Sequence, residues 1–490
     1  MLSAWHCPAQ TNPSARIDRY VQAEMRRQKI PGVSLAVIRH GRIALLKSYG
    51  LADVEHRVPV KPETVFQSGS IGKQFTAAAV MLLVQDGRIS LEDKITNFFP
   101  EAPASWGEIT VRNLLNHTSG MGDFPPEIDL RRDYTEDEYF ASLKKVPLAF
   151  EPGTNWDYSN AGYVTLGILI RKVTGKFYGE FLQERIFRPL GMTTARVISE
   201  ADIVPNRAAG YRLVNGELKN QEWVSPSTNT TADGSLYLTV LDLAKWDAAL
   251  YTDTPLKQST LAEIWTPATL NNGKQKAYGF GWHSNRIHNH RILYHGGAWQ
   301  GFKSSITRFV DDKLTIIFFA NSWETNDIKL TRGLASIFYP EFAPPTIQTI
   351  EDRDPKASSL IKQALLQLAR GTAKPESFTA EFRANDFPVR AKQFGETLNS
   401  LSLPVAIIHL GELVERRDEK DLRVFRFMMT DLGQTLFCLV KLTKDDKIAG
   451  LEIESGVGLR GGLRHPHCNL TAYSGQFRDV ADSIKLRIHP

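Results

Sequence analysis

The sequence is poor in the features that mark disulfide-rich, membrane-spanning or strongly charged proteins. Its 490 residues include three cysteines, Cys7, Cys438 and Cys468, whose odd number and wide spacing argue against a disulfide framework. No apolar run approaches the roughly 20 residues that a membrane-spanning helix needs. The formal net charge of +5 is small for this length, and no block of five or six like charges occurs. We therefore predict neither a nucleic-acid partner nor a transmembrane segment.

The first 14 residues, MLSAWHCPAQTNPS, lack the parts of a complete signal peptide. They contain no basic region and no long apolar core. They are either the remnant of a signal peptide or a disordered N-terminal stub, and both interpretations stay open. Composition therefore leaves the compartment unknown.

Hydrophobic periodicity predicts a large domain over residues 15–342. It begins with an amphipathic helix and a β-hairpin, and it ends with three extended runs and a helix. Between these ends the patterns are mostly helical, and Thr239 and Asp242 stand at capping-box spacing before one of the helices. This arrangement predicts an α/β domain whose sheet is built from both ends of the region, with a helical lobe inserted.

A segment rich in proline and charge, residues 343–354, is predicted to be a linker. Asp354 and Pro355 then suit the N-cap and first position of a helix, and strand-like runs follow Gly371. Residues 355–490 are therefore predicted to form a small α+β accessory domain, with a pure β-barrel as the alternative. The last thirty residues show no clear period.

Ser70 and Lys73, in the stretch QSGSIGKQ, are the first candidates for catalysis. Apolar residues at helical spacing predict a helix over 70–86, where residues three apart share a face, so the lysine amine can reach the serine hydroxyl. A serine needs such a base to become a nucleophile, and N–H groups at a helix N-terminus can face a developing oxyanion. The pattern is weak by itself, because a capping serine and a solvated lysine also produce it.

Tyr158 and Asn160 form a second motif, in NWDYSNAGY, just ahead of a predicted helix. A lysine ammonium close to a phenol can lower its pKa enough for it to take or relay a proton. Asparagine offers both a donor and an acceptor to an amide-like substrate. A turn with a buried tyrosine is the alternative interpretation.

The third motif is the strand end LYHGGAWQGF, with His295, Gly296 and Gly297. Glycines let a substrate come close to a strand edge, and the next N–H, of Ala298, could serve as an oxyanion donor. An ordinary strand end is the alternative. The three motifs follow one another at separations of 88 and 137 residues, and this joint pattern is far more specific than any one of them.

Together these residues resemble the active-site motifs of the penicillin-recognising serine hydrolases. The resemblance is to the branch with class C β-lactamases, serine DD-peptidases, D-aminopeptidases and β-lactamase-like carboxylesterases. Further stretches over residues 15–340 resemble that family in the expected order, among them PGVSLAVIRHG, ITVRNLLNHTSGM, EPGTNWDYSNAGY and RIFRPLGM. The resemblance implies a β-lactamase/transpeptidase-like fold, an antiparallel sheet flanked by helices with an inserted helical lobe.

The resemblance also implies roles for the motif residues. Ser70 is expected to attack the scissile carbonyl and become acylated, while Lys73 and Tyr158 share the proton transfers. The implied function is hydrolysis of an amide or ester bond, as in DD-peptidases, D-aminopeptidases or esterases. A non-catalytic penicillin-binding sensor or scaffold, acylated without turnover, is the alternative.

Four residues are implied to bind the substrate. Asn160 is expected to hold its amide or acyl side chain, and His295 and Gly297 to line the opposite wall. The N–H of Ala298, with that of the nucleophile, is expected to form the oxyanion hole. Class C β-lactamases carry Lys-Thr-Gly where this chain has His-Gly-Gly, so β-lactamase activity is expected to be weak at most.

No cofactor or metal is predicted. Two histidine clusters lack partners at a spacing typical of zinc sites: His283, His288 and His290, and His465, His467 and Cys468. The expected partner is a small-molecule or peptide substrate. The C-terminal domain weakly resembles NTF2-like appendages, for which substrate access, a homodimer contact or passive stabilisation are all compatible roles. Family resemblance favours a periplasmic or secreted protein.

Overall fold

The computed structural model of the protein describes residues 13–124, 128–342, 352, 354–369, 371–385, 406–417, 420–430 and 435–454. The chain divides into two units, Met1–Asp327 and Ile328–Pro490. Most of the predicted linker lies outside the described residues, as do the last thirty residues and most of the N-terminal stub. The domain bounds 15–342 and 355–490 therefore stay predictions.

A seven-stranded sheet forms the centre of the first unit. The strands of this unit are β1 (Gly32–Arg39), β2 (Arg42–Asp53), β3 (Val58–Pro59), β4 (Phe66–Gln67), β5 (Arg196–Val197), β6 (Tyr211–Val214), β7 (Glu217–Asn220), β8 (Leu236–Leu238), β9 (Ala268–Thr269), β10 (Gln275–Lys276), β11 (His283–Ile287), β12 (His290–Trp299), β13 (Phe302–Phe309) and β14 (Leu314–Ala320). The large sheet has the order β11-β12-β13-β14-β1-β2-β3, and all its neighbours are antiparallel. Smaller sheets join β4-β8-β5, β6-β7 and β9-β10.

The sheet unites the two ends of the first unit. Val33 of β1 lies opposite Ala320 of β14, which confirms the predicted sheet built from distant chain segments. Strand β1 is buried along its whole length except at Arg39, because its apolar side chains alternate between two covered faces. The antiparallel α/β fold implied by the resemblance is confirmed.

Helices cover this sheet and form the inserted lobe. They are α1 (Pro13–Gln28), α2 (Gly72–Gln85), α3 (Val111–Leu115), α4 (Glu136–Leu143), α5 (Asn160–Thr174), α6 (Tyr178–Leu182), α7 (Val240–Ala249) and α8 (Gln258–Ile264). The next helix, α9 (Asp327–Phe338), begins at the last residue of the first unit and belongs otherwise to the second. The predicted capping box at α7 is confirmed: Thr239 Oγ1 accepts the Asp242 N–H at 3.0 Å, and the carboxylate of Asp242 accepts the Thr239 N–H at 3.0 Å.

The second unit contains α10 (Pro355–Ala369), α11 (Ala380–Asn385) and an antiparallel sheet of β15 (Ala406–Arg417), β16 (Lys420–Thr430), β17 (Thr435–Leu442) and β18 (Ile448–Glu454), in that order. The predicted N-cap is present, since Asp354 Oδ1 accepts the Ala357 N–H at 3.0 Å. Ile361 of α10 is buried in one hydrophobic cluster with Phe425 and Val440 of the sheet. The resemblance to NTF2-like domains stays a prediction.

No helix in the described ranges is both long and apolar enough to span a membrane.

Candidate active site

Ser70 lies in a 3-10 turn, Gly69–Ile71, and α2 begins only at Gly72. The predicted helix over 70–86 is thus present, but the serine stands in a tighter turn that precedes its first α-helical residue. Ser68 fixes this turn, because its N–H donates to the Leu236 carbonyl at 2.8 Å and its Oγ donates to the Gly234 carbonyl at 3.0 Å. Ser70 itself is only partly buried and remains accessible.

The turn packs directly against the backbone of β12. A Cβ on Gly297 would lie 1.9 Å from the Ser68 carbonyl oxygen, and a Cβ on Gly69 would lie 2.4 Å from the Ala298 nitrogen. Gly69 also has φ +52°, which favours glycine. Ser304 of the next strand donates its hydroxyl to the Ser68 carbonyl at 2.6 Å. Glycine at 69 and 297 therefore permits a contact between the nucleophile turn and the strand that no side chain could accommodate.

The Ala298 N–H faces this turn. Strands β12 and β13 are joined by the two-residue loop Gln300–Gly301, which makes Trp299 and Phe302 a hydrogen-bonded pair. In an antiparallel pair, hydrogen-bonded and non-hydrogen-bonded residue pairs alternate, so the next pair, Ala298 and Lys303, shares no backbone hydrogen bonds. Strand β11 ends its pairing at Tyr294. The Ala298 N–H thus points away from β13, towards the side of β12 where the Ser70 turn packs.

Lys73 connects the nucleophile with the helical lobe. Its Nζ lies 3.2 Å from Ser70 Oγ, 2.6 Å from Asn160 Oδ1 and 2.5 Å from the Asp233 carbonyl oxygen. The side chain has no solvent-exposed surface. Burial lowers the pKa of Lys73 to about 8, and the carboxylates of Asp233 and Asp123 act in the opposite direction.

Asn160 is the first residue of α5, where Ser159 is the N-cap and accepts the Gly162 N–H at 2.9 Å. Its side-chain amide is held at both ends, because Oδ1 accepts from Lys73 and Nδ2 donates to Asp123 Oδ1 at 2.8 Å. Asp123 was not predicted from the sequence. It follows two glycines in HTSGMGD, a composition that indicates a loop but carries no sign of a function.

Tyr158 completes the group around Lys73. The lysine Nζ lies 4.8 Å from the centre of its ring. Its hydroxyl is buried and has no regular hydrogen-bond partner within the described ranges. Burial raises the pKa of Tyr158 well above 10, although an interaction with Ser70 partly offsets the rise. The expectation of a lowered phenol pKa was wrong, because desolvation of the phenolate outweighs the nearby lysine.

His295 is neutral and fully engaged. Its Nδ1 lies 2.6 Å from the Gly296 carbonyl oxygen, which can only accept, so Nδ1 carries the hydrogen. Its Nε2 then accepts from the Tyr278 hydroxyl at 3.0 Å. Burial lowers the pKa of His295 well below 6.5, and the neighbouring His283 and Lys73 act in the same direction. The ring lies 6.1 Å from that of Tyr158, on the wall formed by β12.

A small cleft lies beside Asn160. Asp123 is the charged residue among those that line the cleft. The other lining residues are neutral: Trp106, Met121, Gly122, Leu143, Val146 and Ala161. Asp123 itself is exposed to solvent. The cleft therefore joins an apolar surface to a single accessible carboxylate next to the Lys73–Asn160 hydrogen bond.

Within the described residues no group of three histidine, cysteine or acidic side chains is arranged to hold a metal ion. The cluster of His465, His467 and Cys468 lies outside those residues. His283 stacks on Tyr294 with ring centres 4.6 Å apart, in a contact between neighbouring strands.

An accessible serine beside a buried lysine, between an antiparallel sheet and a helical lobe, is the arrangement typical of the class of proteins that the motifs resemble. The Beta-lactamase family profile matches residues 17–336. The chain belongs to this family, and the family prediction is confirmed.

Individual relatives agree with this assignment. The chain is 32% identical over 305 residues to penicillin-binding protein 4* of Bacillus subtilis strain 168, covering 59% of this chain and 67% of that protein. It is 26% identical over 342 residues to a D-aminopeptidase of Gluconobacter oxydans strain 621H, covering 68% and 63%. The chain thus spans from 60 to 67% of the length of the first curated relatives that it matches.

Among solved structures, the D-amino acid amidase of Ochrobactrum anthropi SV3 in complex with L-phenylalanine amide has a TM-score of 0.56 at 30% identity. The match covers 63% of this chain and 91% of the amidase. The range of the family match, residues 17–336, contains the part of the chain that carries the Ser70 site.

Proposed function

We propose that the protein is a serine hydrolase that cleaves an amide or ester bond through an acyl-enzyme on Ser70. The buried amine of Lys73, 3.2 Å from Ser70 Oγ, supports this most directly. With a pKa of about 8, roughly one-tenth of the Lys73 side chains are neutral at pH 7, whereas an ordinary lysine with a pKa of ~10.4 is almost entirely protonated. A neutral amine at this position can act as the general base.

The hydrogen bonds of Lys73 give that base a direction. A neutral amine has two N–H groups and one lone pair. If the N–H groups donate to Asn160 Oδ1 and to the Asp233 carbonyl, the lone pair is left facing Ser70 Oγ. Ser70 can then pass its proton to Lys73 as Oγ bonds to the scissile carbonyl carbon.

In the remaining steps the same groups stabilise the intermediate and return the proton. Negative charge on the substrate carbonyl oxygen is stabilised by the N–H groups of Ser70 and Ala298. Collapse of the tetrahedral intermediate that carries this charge breaks the bond to the leaving nitrogen or oxygen, which takes up the proton held by Lys73. Water then attacks the acyl ester and gives a proton to Lys73. The bond between the acyl carbon and Ser70 Oγ breaks, Oγ takes the proton back from Lys73, and the acid is released.

Tyr158 is proposed to stay protonated and to relay protons. Its pKa is raised by burial, so the phenolate is a poor choice for the resting base, while the neutral hydroxyl lies beside both Ser70 and Lys73. A phenol in this place can donate to the leaving group and be reprotonated from the lysine.

Cleavage of an amide next to a D-residue is the favoured reaction. A D-aminopeptidase and a D-amino acid amidase are among the relatives, by name, and the neutral His295 offers no cation to a carboxylate of a β-lactam. Hydrolysis of short acyl esters by the same machinery is the second candidate, since nothing in the Ser70–Lys73 geometry distinguishes an amide from an ester.

Labelling with a fluorophosphonate and with a fluorescent penicillin tests the proposal. We expect one adduct, located on Ser70 by mass spectrometry and absent in Ser70→Ala. Lys73→Ala and Tyr158→Phe should each lower turnover by at least ~10². An adduct at another residue, or unchanged labelling of Ser70→Ala, contradicts the proposed nucleophile.

A substrate panel then separates the activities. It pairs D-alanyl peptides and amides with a chromogenic cephalosporin and with acyl esters of graded length. Turnover of esters alone supports an esterase. Stoichiometric acylation without product release supports the penicillin-binding sensor instead of an enzyme.

A further inference from the structure

His117 holds the backbone on both sides of Tyr158. Its carbonyl oxygen accepts the Asp157 N–H at 3.1 Å, and its Nδ1 accepts the Ser159 N–H at 3.1 Å. The residues immediately before and after the phenol are thus bonded to one residue of the loop that follows α3. Because Ser159 is also the N-cap of α5, the second hydrogen bond fixes the start of the helix that carries Asn160.

The ring of His117 also packs on the ring of Tyr158. The two ring centres are 4.4 Å apart, with 41° between the planes, and the same phenol ring has Lys73 Nζ 4.8 Å from its centre. His117 has no solvent-exposed surface, so water cannot replace either of its hydrogen bonds. A displacement of His117 would therefore move the phenol relative to Lys73.

The protonation state of His117 follows from its partner. A backbone N–H can only donate, so Nδ1 has no hydrogen and Nε2 carries it. Burial lowers the pKa of His117 well below 6.5, and the positive charges of Lys73, His295 and His283 act in the same direction. The acceptor at Nδ1 is therefore preserved at neutral pH.

The second ring nitrogen argues that His117 does more than fill space. Nε2 is buried and has no hydrogen-bond partner in the part of the chain that the structure describes. An unpaired buried N–H is unfavourable, and an apolar side chain would occupy the same space without it. The property that the imidazole adds at this position is the Nδ1 acceptor for the Ser159 N–H.

We propose that His117 is a positioning residue of the reaction and acts through Tyr158, whose phenol it holds in place to protonate the leaving group. The inference rests on the proposed function, because Tyr158 is the residue to which that proton transfer is assigned. In this role the hydrogen bonds to Asp157 and Ser159 set the backbone of Tyr158, and the ring contact sets its phenol.

Three substitutions of His117 separate the acceptor from the rest of the side chain. His117→Asn keeps an acceptor on Cγ, as Nδ1 is, and asparagine, like histidine, is enriched at left-handed φ values such as the +63° of His117. His117→Gln moves the acceptor one bond further out, and His117→Leu removes it. We expect the asparagine variant to keep Tyr158 in place and the other two to release it.

The dependence of kcat/KM on the leaving group shows whether the effect passes through Tyr158. The probes are p-nitrophenyl butyrate and ethyl butyrate, which share an acyl group. The p-nitrophenolate leaves without a proton, whereas ethoxide must be protonated as it leaves, so the ratio of the first kcat/KM to the second rises when the proton donor is lost. If the protein acts on amides alone, D-alanine p-nitroanilide and D-alanine amide give the same contrast, since ammonia is the more basic leaving group.

The expected ratios differ among the variants. Tyr158→Phe should raise the ratio by ~10² or more, because it removes a general acid. His117→Gln and His117→Leu should each raise it by roughly 10-fold, because the donor is present but misplaced, and His117→Asn should stay within about threefold of the wild type. The double variant of His117→Gln with Tyr158→Phe should match Tyr158→Phe within about twofold, since no hydroxyl is left to position.

His40→Gln is the matched control. His40 also has a left-handed φ, +50°, but it is exposed in the turn between β1 and β2. It therefore reports the effect of glutamine on a left-handed backbone without a change next to Tyr158, and its ratio should equal that of the wild type.

Several outcomes would overturn the inference. They are an unchanged ratio in both His117→Gln and His117→Leu, an asparagine variant as impaired as the glutamine variant, and single effects that multiply in the double variant. Loss of the folded state in every His117 variant, measured by circular dichroism, would also overturn it and leave His117 as a residue of the core.

The failure of the inference can be told apart from the failure of the proposed function. A raised ratio in Tyr158→Phe together with an unchanged ratio in the His117 variants refutes the positioning role alone. An unchanged ratio in Tyr158→Phe refutes the proposed proton donor, and absence of Ser70-dependent acylation by any ester, anilide or fluorophosphonate refutes the proposed function itself.

Discussion

Replacing Gly69 with alanine should separate the nucleophile from its proposed oxyanion donor. A Cβ at this position would lie 2.4 Å from the Ala298 nitrogen, and Cβ contacts below 3.0 Å essentially never occur, so the turn and β12 must move apart by at least about 0.6 Å. Misplacement by 1 Å can cost ~10²-fold, and loss of one oxyanion donor costs ~10²–10³-fold in kcat. We therefore expect Gly69→Ala to lower kcat by roughly 10- to 100-fold.

Gly87→Ala provides a control with the same backbone cost. Gly87 also has a left-handed φ, +69° against +52° at Gly69, but a Cβ there would meet no atom within 4 Å. Each variant should lose about 1–2 kcal/mol of unfolding free energy from the positive φ. Gly69→Ala should be destabilised further, because its Cβ overlaps with the Ala298 nitrogen. Ester turnover, normalised by titration of Ser70 with a fluorophosphonate, gives kcat, and denaturant unfolding gives stability. Equal kcat values in the two variants would refute the proposed contact between the turn and the oxyanion donor.

Two further predictions concern protonation and capping. With a neutral ester as substrate, kcat/KM should rise about tenfold per pH unit towards the pKa of Lys73, about 8, and level off above it, because the base must be neutral. Burial raises the pKa of Tyr158 and lowers that of His295, so both move away from the pKa of Lys73, and a flat profile from pH 6 to 9 would contradict Lys73 as the base. Asp354→Ala should remove about 1 kcal/mol of capping energy, together with the ion pair to Arg423, from the stability of the second unit in denaturant titrations, whereas Asp354→Asn, an equally good cap, should lose only the ion pair.

Features that depend on near neighbours in the sequence could be predicted well. The capping box of Thr239 and Asp242 and the N-cap at Asp354 are present because a cap satisfies N–H groups only two or three residues away. The spacing of Ser70 and Lys73 likewise sets their proximity through one turn of helix.

The missed features depend on contacts across the fold. Lys73 reaches a backbone carbonyl 160 residues away, at Asp233, and a carbonyl acceptor leaves no signature in a sequence. Asp123 lies 37 residues before Asn160 in a loop, so no periodic pattern links them. The pKa of Tyr158 was misjudged because the proximity of a lysine could be inferred, while the burial that decides the direction could not.

The packing of the Ser70 turn against β12 and β13 has a consequence for synthesis of the protein. The hydrogen bond from Ser304 to the Ser68 carbonyl joins residues 236 positions apart. At about 5–20 residues per second, translation takes roughly 10–50 s to pass from one to the other. During that interval the nascent chain carries the serine and the lysine but no partner strand for their turn. The proposed reactivity of Ser70 therefore requires residues that are synthesised late, when the chain emerging from the ribosome already contains most of the domain.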